Sequence, residues 1–185
     1  MIPGNYIDKI NHLLAEGIKE SDHPFHQFVL GTQNQDSTDL RTVVLRKWDL
    51  NRQTIMFHTD IRSKKISQLK HSPKCGILFY SHSHKLQLRF QCKAHIHIKD
   101  RLWEFMVQQI RPHQLNTYKT PESPGTRKDP TKNTSSEPID PHQNIAIVVC
   151  NFFQLDLLDL APKNHIRIHY QWQPDGTRIT TPIWP

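Results

Sequence analysis

The sequence predicts a mainly β protein, an antiparallel barrel closed or nearly closed, with a few helices at its periphery. Short apolar runs with two-residue alternation recur along the chain, most clearly at Leu86, Leu88, Phe90, Cys92, Ala94, Ile96 and Ile98. Polar clusters separate consecutive runs at hairpin spacing. Helical spacing of apolar residues is confined to three segments, so helices cannot cover both faces of a large sheet.

In chain order, Tyr6 to Ile18 places Ile7, Ile10, Leu13, Leu14 and Ile18 on one helical face and ends near Gly17, before the turn Ser21-Asp22-His23-Pro24. Phe25 to Thr32 and Leu40 to Trp48 read as two strands of a hairpin around Gln33 to Ser37. Thr54 to His58 follows as a strand after the turn Asp49 to Arg52. Ser63 to Lys70 is a short helix with Ser63 in the N-cap position and a stop at Ser72-Pro73. Cys75 to Tyr80 and Lys85 to Ile98 make the next hairpin, and Asp100 to Ile110 is helical. From Arg111 to His142 the chain turns to Pro, Thr, Ser, Asn and charge, with prolines at 112, 121, 124, 130, 138 and 141, and is expected to be a long irregular excursion. Strands resume at Ile145 to Leu155, His165 to Trp172 and, past the turn at Pro174-Asp175-Gly176, Arg178 to Pro185. Residues 1–185 are expected to form one domain with an irregular loop at about 111–142.

Three cysteines, Cys75, Cys92 and Cys150, stand at wide spacing within apolar strands, which suggests buried thiols rather than a disulfide framework or a zinc site. A reducing, cytoplasmic setting is the expectation. Charged residues interrupt the N-terminal segment, and no apolar stretch reaches a membrane-spanning length. A net charge of +7 favours an anionic partner, whether nucleic acid, membrane surface or phosphorylated small molecule. Placement favours the small anion over nucleic acid, because the densest cations, Arg62, Lys64, Lys65 and Lys70, directly follow an apolar strand. The tryptophans do not interleave with basic residues in an RNA-binding pattern. Histidine pairs such as His82/His84 and His95/His97 lack acidic or cysteine companions at ligand spacing, so no metal is expected, and no histidine is marked out as a haem ligand.

The segment Phe57-His58-Thr59-Asp60-Ile61-Arg62-Ser63-Lys64-Lys65 ends a strand and opens a helix with a hydroxyl and three cations, an arrangement suited to a terminal phosphate. In Arg41-Thr42-Val43-Val44-Leu45-Arg46 the two arginines fall on opposite faces of an unbroken strand. Arg41 is assigned to the phosphate. Arg46 is either near a ligand edge or exposed.

These two segments, with His23-Pro24-Phe25, Ser72-Pro73, Phe79-Tyr80 and Leu86-Gln87-Leu88-Arg89, run in the order found in the pyridoxamine 5'-phosphate oxidase-like family of FMN-binding split barrels. The sequence resembles that family from His23 to Ile96, and more weakly from Leu155 to Pro185. The resemblance implies FMN as cofactor, with Arg41, Lys64 and Lys65 on its phosphate and Ser63 beside them. It also implies flavin contacts along Thr42, Val43, Val44, Arg46, His58 and Thr59, and a glutamine, Gln87, reaching the ring from a neighbouring chain or strand. Arg167 and His169 resemble the Arg-x-His pair that holds substrate over the flavin; two apart on a strand, they face the same way. A homodimer and a small-molecule substrate follow from the same likeness. The implied activity is an FMN-dependent oxidoreductase, with a non-catalytic flavin-binding or sensing module as the alternative. The sequence departs from the oxidases at Leu86, where they carry arginine, at Lys64, also arginine there, and at about Arg178, where a tryptophan is expected.

Overall fold

The structure is a computed structural model and describes residues 6–127, 139–161 and 163–185. Helix α1 (Tyr6–Lys19) leads into β1 (Gln27–Asn34), β2 (Ser37–Val44), β3 (Lys47–Asp49) and β4 (Thr54–Asp60). Then come α2 (Lys64–His71), β5 (Lys74–Ser81), β6 (Leu86–His97), α3 (Arg101–Val107) and the single turn α4 (Pro112–Leu115). The chain finishes with β7 (Ile145–Asp159), β8 (Ile166–Trp172) and β9 (Arg178–Ile183). The expected antiparallel barrel is present, and this is the split-barrel architecture. No helix among the described residues is long and apolar enough to cross a membrane.

Hydrogen-bonded neighbours run β2-β1-β5-β6-β7-β4-β3, with β8 on β7 and β9 on β8. Closure comes from a strand that changes partners. The run expected as one strand from Leu40 to Trp48 breaks at Leu45-Arg46: the Leu45 amide donates to the His26 carbonyl at 2.8 Å, and the next amide, Arg46, to the Met56 carbonyl at 2.9 Å. β2 thereby ends on one edge of the sheet and β3 begins on the other. The break also removes the premise that Arg41 and Arg46 oppose each other across one strand.

Phenylalanines fill the barrel, Phe28 against Phe79 at 5.0 Å and Phe90 against Phe152 at 5.2 Å, with Trp48 stacked on Phe152 at 5.2 Å. Helix α1 buries Ile7, Ile10, Leu13 and Leu14 on this core. It can do so because Gly17 lies against β1's approach, where a Cβ would stand 2.6 Å from the Phe25 carbonyl oxygen. All three cysteines are free and buried, with Cys75 and Cys150 Sγ atoms 3.9 Å apart. A second cluster lies outside the barrel, where Met106, Val107 and Ile110 cover Met56, Ile145, Ile147 and Val149. Trp103 Nε1 donates to the Ile145 carbonyl at 2.8 Å and anchors this roof.

Part of the expected irregular excursion has structure. α4 is followed by a 3-10 turn at Asn116–Tyr118, and another, Pro141–Asn144, precedes β7. Residues 128–138 of that excursion lie outside the described residues.

Candidate functional site

β4 delivers Thr59 to the barrel rim and α2 begins at Lys64, so hydroxyls and lysines converge within one short segment. Lys65 Nζ donates to Thr59 Oγ1 at 3.0 Å, and Thr59 Oγ1 lies 3.4 Å from Ser63 Oγ. Ser63 occupies the N-cap position as expected, but its hydroxyl donates to the Asp60 carbonyl at 2.7 Å rather than capping the helix. The first amides of a helix lack the usual acceptor one turn back; in α2 the Ile66 amide bonds the Ser63 carbonyl at 2.9 Å. Lys64 is exposed on the same turn.

Arg41 approaches from β2. On that strand Asp39, Arg41 and Val43 point towards the barrel, while Thr42 and Val44 pair with Val29 and Gln27 and lie on the outer face. The Arg41 guanidinium donates to the Leu30 carbonyl at 3.3 Å, to Gln68 Oε1 at 3.1 Å and to Thr32 Oγ1. Gln68 in turn donates to Asp39, whose carboxylate stands 3.7 Å from Arg41. Burial lowers the pKa of Arg41; burial and then the charge of Arg41 lower that of Lys65. Two half-buried cations therefore press on one another, and a dianion between them would relieve both desolvation and repulsion. By this test the cradle fits a phosphate.

Arg46 and His58 belong to an adjoining cleft of about 660 Å³ on the outer flank of β4, next to the α3 roof. Its lining includes Lys19, His26, Arg46, His58, Arg111 and Gln114. His58 Nε2 is buried with no hydrogen-bond partner among the described residues. Burial, and secondarily Arg46, push the His58 pKa down to about 4. Arg46 itself is lowered by burial, with Tyr118 opposing and Arg111 adding to the effect. A neutral imidazole with an unused nitrogen, a half-buried Arg46 and the neighbouring Arg111 make a cleft that suits an anionic or carbonyl-rich ligand. Sequence reasoning missed Arg111 and Tyr118. Both lie in the proline-rich stretch after Ile110, which has no periodicity to mark them.

Gln87, Arg167 and His169 lie elsewhere, together on the outer face of β6 to β8. Gln87 pairs with Tyr80 and Leu158, Leu158 pairs with Arg167, and Asp156 pairs with both Arg89 and His169. Arg167 is held by Asp156 through Nε at 3.0 Å and Nη2 at 2.8 Å, and Arg89 reaches the same carboxylate. Burial would raise the Asp156 pKa, but its bonds to Arg167 and Arg89 outweigh that and lower it; Arg167 is raised correspondingly. Further along this face, Gly31 and Gly76 are paired directly and leave the floor of a groove of about 650 Å³.

Arg62, grouped by sequence with the phosphate cations, is turned away from the cradle. Its guanidinium donates to Asp60 Oδ1 through Nε at 3.0 Å and to Asp60 Oδ2 through Nη2 at 2.7 Å. It also donates to the carbonyls of Pro121 at 2.7 Å and Thr120 at 2.9 Å.

Fold and cation placement together define a split-barrel protein with a cationic rim. Residues 7–98 match the family described as pyridoxamine 5'-phosphate oxidase, FMN-binding domain. The chain belongs to this FMN-binding family, and FMN is its cofactor. Pyridoxine/pyridoxamine 5'-phosphate oxidase 2 of Arabidopsis thaliana is 23% identical over 189 residues, covering 94% of this chain and 93% of that protein. A pyridoxamine 5'-phosphate oxidase-related, FMN-binding protein of Nostoc punctiforme superposes with a TM-score of 0.81 at 21% identity, covering 100% of both chains. PhzG of Burkholderia lata, solved with tetrahydrophenazine-1-carboxylic acid, gives 0.74 at 14% identity, over 100% of this chain and 94% of that one.

Proposed function

We propose that this chain is an FMN-dependent oxidoreductase acting on a small anionic substrate, working as one domain in a cytoplasmic homodimer. The observation that carries the reading is the pair of half-buried, mutually repelling cations, Arg41 and Lys65, beside Thr59 and Ser63 at the start of α2. These residues, with Lys64, hold the FMN phosphate. Backbone along Thr42, Val43 and Val44 guides the ribityl chain, and Arg46 and His58 meet the ring edge or the anionic end of the substrate in the roofed cleft. FMN, when bound, supplies two-electron oxidation by accepting a hydride from the substrate. The chain's part is to orient, exclude water and hold charge: His58 stays neutral beside Arg46 and offers Nε2 to a polar atom.

Gln87, Arg167 and His169 sit on the bare outer face, so they serve a flavin held mainly by the other chain of a dimer. Exposed side chains on that face and along its edge, Leu40, Tyr80, Ile179 and Ile183, support its burial by a second copy. A pyridoxamine or pyridoxine 5'-phosphate is one fitting substrate, given the name of the Arabidopsis relative. The alternative, a flavin-binding module without turnover, draws on one observation: Arg167 is already engaged by Asp156 and shares it with Arg89.

Titration of FMN with the purified protein, followed by quenching of flavin fluorescence, tests the cofactor site, and anaerobic bleaching of the bound flavin by candidate donors tests turnover. Quenching with bleaching is expected. Absence of quenching removes the flavin site, and quenching without bleaching by any donor supports the module.

A further inference from the structure

We propose that Arg62 is a positioning residue: with Asp60 it clasps the Thr120-Pro121 backbone to the end of β4 and so holds in place the outer wall of the cleft that contains Arg46 and His58. The proposal rests on the reading of that cleft as the substrate side of the flavin site, but the clasp itself is built from contacts that do not involve FMN.

A guanidinium has five N–H donors in a fixed planar fork. Four are spent here, two on the Asp60 carboxylate and two on the carbonyls of Thr120 and Pro121. Arg62 is therefore not available to a phosphate. Asp60 is nearly buried and also receives the Arg62 backbone amide at 2.8 Å, so the carboxylate is a fixed post rather than a mobile partner. Its bond to Arg62 raises the arginine's pKa, the opposite of what burial does to Arg41 and Arg46.

What the clasp holds is defined at both ends. Upstream, the segment from Arg111 to Thr117 contributes Arg111, His113, Gln114 and Thr117 to the cleft lining. Next comes Tyr118, whose carbonyl accepts from Asn144 Nδ2 at 2.8 Å and whose half-buried ring lies within electrostatic reach of Arg46 and Asp60. Two residues later the clasp closes. The opposite wall is the barrel itself, carrying Arg46 and His58, and Asp60 lies on the same strand as His58. A lysine in place of Arg62 would keep the charge but could not reach one carboxylate and two divergent carbonyls at once.

The scissile bond Lys119-Thr120 is an exposed tryptic site lying against the clasped carbonyls, so its cleavage reports clasp opening. Wild type, Arg62→Gln and Arg62→Lys are compared for appearance of the fragment ending at Lys119. Alongside, the His58 ring is titrated by NMR among the groups that face the cleft, namely Lys19, His26, Arg46, Arg111, His113 and Tyr118. Cleavage is expected to rise at least about ten-fold in Arg62→Gln and by a smaller factor in Arg62→Lys, as expected for loss of charge-assisted bonds that limit local opening. The His58 midpoint is expected to climb from about 4 towards the ordinary imidazole value as water enters. Should Arg62→Gln fail to fold, Arg62→Lys carries the test. Equal cleavage rates, or a His58 midpoint unmoved in a variant with native circular dichroism, would overturn the clasp. FMN titration of the same wild-type protein is a separate arm, since failure to bind FMN defeats the flavin reading while the cleavage rates and the His58 midpoint still decide for or against the clasp.

Discussion

Arg41 and Arg46, at the rim and roofed flank of the barrel, are held below the usual arginine range by burial, whereas Arg167, on the bare outer sheet, is held above it by Asp156. The same residue type thus occurs in two electrostatic conditions a short distance apart in one fold. β7 shows the same contrast in its packing. From Ile145 to Cys150 it is buried on both faces, because α3 covers the outside, while from Asn151 onward buried and more open positions alternate. Where the chain roofs its own sheet or closes its rim, it leaves arginines whose burial outweighs their nearby charges, as a ligand site does. Where the sheet is bare, it neutralises its arginines internally and exposes apolar side chains, as a surface awaiting another protein does.

The bare side offers the largest effect. A Cβ at Gly76 would meet nothing within 4 Å, so Gly76→Arg is expected to leave the fold intact while filling the groove that the proposed second copy would cover. Light scattering is expected to change from the mass of two chains to that of one. A wild-type protein that is already monomeric would break the comparison. The next effect separates the two classes of arginine. Arg41→Ala is expected to weaken FMN binding by about 10- to 100-fold, the worth of charge-assisted bonds to a phosphate, and Arg167→Ala by no more than about two-fold. Flavin fluorescence quenching measures both, and equal losses would erase the distinction.

The smallest effect is a pH dependence. His58 has a folded pKa of about 4, below its unfolded value of about 6.5, so the unfolded chain binds the proton first as pH falls. Stability contributed by neutral His58 is complete above about pH 6.5 and declines towards pH 4, by about 1–2 kcal/mol at pH 5. Urea unfolding of wild type against His58→Leu between pH 5 and 7 is expected to show that slope only in the wild type.

The convergence of hydroxyls and lysines at the start of α2 was legible because its parts are nearly contiguous: a strand end, a hydroxyl and lysines opening a helix lie within Thr59 to Lys65. Arg41 followed from its position in a strand with family-like order. The change of edge within that strand was not legible, because no Gly or Pro interrupts Leu40 to Trp48 and Val43, Val44 and Leu45 form one continuous apolar run; only the tertiary acceptors of Leu45 and Arg46, His26 and Met56, reveal it. Arg62 was misleading for a related reason. Its neighbours in sequence are lysines, while its bonding partners at Thr120 and Pro121 lie 58 and 59 residues away. Arg111 and Tyr118 sit in a proline-rich stretch with no periodicity, and such a stretch carries no signal for which face its side chains will line.

β7 has a further consequence for how the molecule is assembled. It is the strand between β6 and β4 and also carries β8, yet it follows the whole excursion in sequence. During synthesis, β4 and β6 must wait with unpaired edges until residues past 145 have left the ribosome, and every pairing that seals the barrel is then non-local. Closure of the barrel is consequently a late event in which the chain from Ile145 onward acts as template, and the interval before it is when the nascent protein is most exposed to edge-to-edge aggregation.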